Sequence, residues 1–235
     1  MSQASPSLIS ADDAEDIRWH FLYRAGAISA LATVVLFVFQ LAAYFVWPPP
    51  PTVAGDYALL QSHWFIGIIS LDFLIIVDEL LAIPISLALY LSLRRVHESL
   101  MLLATALAGV SITCFLVATP ALNMLTLSRQ FAAASSDAQR EALLAVGNSL
   151  IWSSAFQIGY VVGSIEMLMV AGVMLYSRVF SIADAYVGIA ASVVGLGVYV
   201  PKIGVQLSLL SVVGMQVWYV MIAHKLWRVT RKTAG

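Results

Sequence analysis

Four carboxylates stand in segments otherwise too apolar to welcome charge. Asp72, Asp78 and Glu79 lie within eight residues of the run 64–93, and Glu166 lies in a later run, 157–176. A charged side chain in hydrocarbon is expensive, so such residues usually face a bundle interior or a wet cavity. Three kinds of chemistry are open to them. Two carboxyls held close in a low dielectric can share a proton and pass it on. Carboxylates can bind a hard cation. A protonated glutamate can also simply hydrogen-bond a backbone carbonyl or a hydroxyl on the next helix and hold the bundle together.

The elements must bring these groups to one depth. At 1.5 Å per helical residue, Glu79 lies roughly 22 Å from the basic anchor at Arg94, and Glu166 roughly 18 Å from Arg178. Both glutamates therefore fall near the middle of their spans, whereas Asp72, roughly 33 Å from Arg94, belongs at the outer interface. Asp72 and Glu79 are seven residues apart and share a helix face, while Asp78 points about 100° away from Glu79. Glu166 is seven residues from Gly159 and three from Gly163. That Gly-x-x-x-Gly pair allows close helix approach, so Glu166 is expected on the face presented to a neighbour. The expectation is a polar pocket between spans 2 and 4, lined by Glu79 and Glu166, with Asp78 and Asp72 as further candidates.

The chain has 235 residues, of which 61% are hydrophobic and 11% charged, where a soluble domain carries about 25% charged residues. The fold class expected is all-α: a polytopic, integral membrane six-helix bundle. Its spans lie at about 25–47, 70–93, 100–120, 157–176, 185–200 and 205–227 within a transmembrane domain 18–228. Runs of this length suit about 30 Å of hydrocarbon and lack the alternation of a β-barrel. Pro48–Pro51 ends the first span. A short external element follows at 53–63, and an external cap at 123–154. Within the cap, one helix is expected to end near Ala132 and another to start at Asp137, after a Ser136–Gln139 capping box. Residues 1–17 read as a disordered cytoplasmic tail and 229–235 as a basic one.

Orientation follows from Lys and Arg. With the N-terminus inside, Arg18, Arg24, Arg94, Arg95, Arg178, Lys225, Arg228, Arg231 and Lys232 lie on the inner side, and Arg129, Arg140 and Lys202 on the outer. Nine against three places both termini in the cytoplasm. The setting expected is the plasma membrane of a bacterium, with the lipid bilayer as partner.

The remaining polar residues carry less. A net charge of −1, without a basic run, gives no reason to expect nucleic acid. The single cysteine, Cys114, excludes an internal disulfide. The four histidines have no ligand spacing within one helix, and no metalloprotease, nucleophile-elbow or phosphate-loop motif occurs. No cofactor and no metal site are expected. Trp19, Trp47, Trp64, Trp218 and Trp227 lie near span ends and read as an aromatic belt.

A set of short motifs runs through the chain: Arg24-Ala-Gly26, Asn123-Met-Leu, Gln139-Arg-Glu-Ala-Leu-Leu, Gly163-Ser164, Val179-Phe-Ser181 with Gly188, and Tyr199-Val-Pro201 with Gly204. Together they resemble a bacterial family of six-span membrane proteins classed as a domain of unknown function, over roughly 18–228. The resemblance implies the fold and the inner-membrane setting, and brings no activity and no site residues. Three functions stay open: an acidic pocket that binds a small molecule or relays protons, a structural or interaction protein whose carboxylates are only glue, and an intramembrane enzyme. The last lacks a visible nucleophile–base set.

Overall fold

The structure is a computed structural model that describes residues 11–46, 48–69, 73–151 and 153–232, with no strand among them. Asp72, Trp47 and Trp152 lie outside the described residues. The helices are α1 (Ala11–Val46), α2 (Val53–Ser62), α3 (Trp64–Ile68), α4 (Leu74–Val117), α5 (Ala121–Ala133), α6 (Asp137–Ile151), α7 (Ser154–Met174), α8 (Ile182–Leu196) and α9 (Gly204–Lys232). A 3-10 turn at Gly197–Tyr199 follows α8.

Among the described residues, five stretches of helix are long and apolar enough to cross a membrane. Their outward faces carry large apolar side chains, among them Phe21, Val35, Phe45, Leu102, Leu209 and Val217. Exposed apolar area on this scale suits lipid rather than water. The chain is therefore a helical membrane protein.

The longest of these stretches is not straight. On an unbroken helix Ile75 and Ile112 would lie about 55 Å apart, yet both line one cavity. The reversal is at His97, whose backbone leaves the helical region (φ −155°, ψ 85°). The His97 ring caps the second arm, since its Nδ1 accepts from the Leu100 N–H at 3.3 Å. This satisfies one of the donors that a helix start leaves unpaired. The first arm (74–96) also contains Pro84, which cannot donate to the Leu80 carbonyl, one turn above it.

The long helices form a closed ring: α1 packs on α4, α4 on α7, α7 on α8, α8 on α9, and α9 back on α1. Small residues set the close approaches. A Cβ at Gly26 would meet Ala88 Cβ at 2.5 Å and the Pro84 carbonyl at 3.0 Å, which fixes α1 against the first arm of α4. Gly159 and Gly163 meet the second arm: their Cβ positions would lie 3.1 Å from Cys114 Cβ and 2.7 Å from Ser111 Oγ. The two glycines thus serve the helix contact expected of them. The partner is the arm that follows His97 rather than the arm carrying Glu79.

A second layer covers one end of the ring. Helix α2 packs on α5, α3 and α6 around Tyr57, Leu60 and Met124. Tyr57 Oη donates to the Leu143 carbonyl at 2.8 Å, and Gln61 Nε2 to the Ser128 carbonyl at 2.7 Å. The junction between α5 and α6 falls where the capping signals place it. Ser136 Oγ accepts from the Gln139 N–H at 3.3 Å, while Gln139 Oε1 accepts from the Ser135 N–H rather than from that of Ser136.

Two boundaries differ from expectation. Helix α1 begins at Ala11, inside the stretch read as a disordered tail, and α9 runs on to Lys232. Extending a formed helix adds one hydrogen bond per residue, so both polar flanks continue the helices they adjoin.

Candidate functional site

The ring encloses a cavity of about 340 Å³, to which α1, both arms of α4, α7, α8 and α9 contribute side chains. Asp78 and Glu79 reach it from the first arm of α4, and Glu166 from α7. The three carboxylates that lie deep in the spans thus meet one space. Each is partly accessible, because the cavity reaches it.

Their surroundings differ. Next to Asp78 stands the Thr33 hydroxyl of α1, which is 2% exposed and approaches the carboxyl without completing a well-formed hydrogen bond. Among the described residues, neither Glu79 nor Glu166 hydrogen-bonds another protein group, although a glutamate acting as glue would do so. Tyr219, on α9, lines the same cavity as all three carboxyls. Neighbouring residues on a helix point about 100° apart, yet Asp78 and Glu79 both line the cavity.

Hydroxyls and aromatic rings form the rest of the wall. Ser111 Oγ donates to the Gly159 carbonyl at 2.8 Å, tying α4 to α7, and Tyr160 Oη donates to the Ser208 carbonyl at 2.8 Å, tying α7 to α9. Gly195 brings α8 close, since its Cβ would stand 2.6 Å from Ser164 Oγ and 2.8 Å from Ser211 Oγ. Phe115, Phe156 and Tyr160 pack as one aromatic wall, with ring centroids 5.2, 6.4 and 6.3 Å apart. Trp218 is a correction to the aromatic belt. It is 3% exposed, packs against Gly188 and lines the cavity. Its Nε1 and Gln216 Oε1 are buried without a hydrogen-bond partner among the described residues.

No Lys, Arg, His or Cys is among the described residues that line the cavity. Three carboxyls share it without a counter-cation, and a charge there is costly unless something compensates it. A proton can do so, and so can a positively charged guest. Among the described residues, no three His, Cys, Asp or Glu side chains converge closely enough to hold a metal ion. Composition pointed to the carboxylates. Gln216, Tyr219 and the five serines that line it left no signal, because polar singletons on apolar helices do not reveal which way they face.

Outside the spans, Asp56 on α2 is 7% exposed, and burial pushes its carboxyl up from 3.8 to about 6. Burial also raises the Tyr57 phenol, with the Asp56 charge adding to it. Asp184 caps α8 with Ser181 in a reciprocal box and pairs with Lys225 of α9 at 3.7 Å.

Comparison with protein-family models, curated proteins and solved structures finds no match to this chain.

Proposed function

We propose that this chain crosses the bacterial plasma membrane six times, with both termini in the cytoplasm, and holds inside its bundle an acidic pocket that binds a small molecule or relays protons. The observation that carries the reading is the cavity shared by Asp78, Glu79 and Glu166, whose glutamates have no protein partner among the described residues. The two arms of α4 supply the second and third crossings.

The orientation is supported by where the basic residues gather. Tyr23, Arg95, Arg178 and Val229 line a second cavity, so the start of α1, the turn of α4 and the ends of α7 and α9 meet at one end of the ring. Arg24 stacks over Trp227 there, 6.0 Å from the ring centroid. Arg129 and Arg140 belong to α5 and α6, in the layer at the other end. Lys and Arg concentrate on the cytoplasmic side of membrane proteins.

The test is thermal stability in nanodiscs, measured from pH 5 to pH 9, for wild type, Glu79→Gln and Glu166→Gln. A titrating pocket gives a pH dependence that each glutamine variant alters. Identical pH profiles for all three proteins would reduce the carboxyls to bundle glue.

A further inference from the structure

We infer that the guest of this pocket is an elongated organic cation: a protonated amine at one end and an apolar, ring-sized body at the other. The inference rests on the acidic-pocket reading and names the class of molecule that the pocket takes.

Charge comes first. Asp78, Glu79 and Glu166 line one cavity with no basic side chain among the described lining residues, so the pocket offers negative charge and lacks its complement. A compact metal ion would need several ligands closing on one point, and the described acidic groups do not close that way. An ammonium head, held by hydrogen bonds to one or two acceptors, needs no such closure. Gln216 adds a second, independent sign. It is 8% exposed, it lines the cavity, and its Oε1 is an acceptor with no partner among the described residues. An ammonium N–H is the donor that both it and the carboxyls lack.

Size and wall chemistry point the same way. About 340 Å³ falls in the range of small-molecule sites, roughly 300–1,000 Å³, and far exceeds the room a proton path requires. The walls divide into two zones. Tyr219 lines the cavity together with the three carboxyls, and an aromatic ring there attracts a cation as the carboxyls do. Phe115, Phe156 and Tyr160 form the apolar zone. Along α7, Tyr160 and Glu166 are six residues apart, about 9 Å of helix rise. A flexible chain of a few carbons between charge and ring spans that offset.

The experiment uses three probes with one ring and one chain length: 4-phenylbutylamine, charged at pH 7.5, its neutral analogue 4-phenylbutan-1-ol, and the anion 4-phenylbutyrate. Each is titrated against the full chain in nanodiscs, with binding read by thermal shift. The amine is expected to raise Tm saturably, and the alcohol and the carboxylate to bind at least about tenfold more weakly. Glu79→Gln and Glu166→Gln should each weaken the amine, whereas Glu98→Gln, at an exposed site, should not. Phe115→Leu keeps every carboxyl and should also weaken the amine, which preserves the test if a glutamine variant fails to fold. Equal binding of the alcohol or the carboxylate, or no response to the amine, overturns the inference. Should the amine fail while the glutamine variants still alter the pH profile of stability, only the cation assignment falls; if that profile is unaltered as well, the acidic-pocket reading falls with it.

Discussion

At the scale of single residues, the chain places carboxylates in three environments and asks something different of each. Asp78, Glu79 and Glu166 face a shared cavity. Asp184 is buried, but it is satisfied by the start of its own helix and by Lys225. Asp56 is buried in the outer layer, where it resists ionisation up to about pH 6. The sign of its contribution follows from that shift. The folded state holds the proton more tightly than an unfolded chain titrating near 3.8, so the penalty is absent at about pH 3, grows as pH rises through 3.8 towards 6, and is complete above. Asp56→Asn should therefore stabilise the protein at pH 7.5 by about 1–2 kcal/mol, the shift being discounted for solvent screening. It should give no gain at about pH 3. Chemical denaturation at the two pH values checks this, and an equal gain at both would contradict it. Asp184→Ala removes a helix cap and leaves Lys225 without its partner, so a loss of about 1–3 kcal/mol is expected in the same assay. Ser181→Ala, which removes the hydroxyl's two bonds to Asp184 but leaves the Asp184 carboxylate accepting from the Ser181 N–H, should cost about 1 kcal/mol.

At the scale of elements, the ring depends on glycines that let backbones touch. Gly26 stands against rigid neighbours on another helix, since an added Cβ meets Ala88 Cβ and the Pro84 backbone. Gly26→Val should lower stability by about 1–3 kcal/mol through overpacking, whereas Gly109→Val, at a site with nothing within 4 Å, should be near neutral. Comparison of the two Tm values in detergent decides between a packing contact and a general intolerance of glycine replacement. Helix ends were largely legible in the sequence: Pro48–Pro51 after α1, and the Ser136–Gln139 signal before α6. Helix partners were not. In a soluble helix the apolar stripe names the buried face. Here every face is apolar, so hydropathy could not say that Gly159 and Gly163 meet the second arm of α4. Nor could it show that Trp218 turns inward rather than towards the interface.

At the scale of the whole molecule, one arrangement accounts for most of what is buried and polar. Two arms reversing at His97, together with α1, α7, α8 and α9, surround a single space, and the deep carboxylates of two helices enter it. The depth estimate placed Glu79 and Glu166 at one level from their basic anchors alone, because helical rise converts residue number to distance. The cavity between them depends on how the helices pack, which that arithmetic does not contain. Its most direct test is cross-linking in native membranes, in a Cys114→Ser background. Glu79→Cys with Glu166→Cys should be joined by a short bifunctional thiosulfonate. The neighbouring pair Leu80→Cys with Ile165→Cys, whose side chains are exposed on the outside of the ring, should not be. Efficient cross-linking of the 80/165 pair, with none between 79 and 166, would contradict the shared pocket.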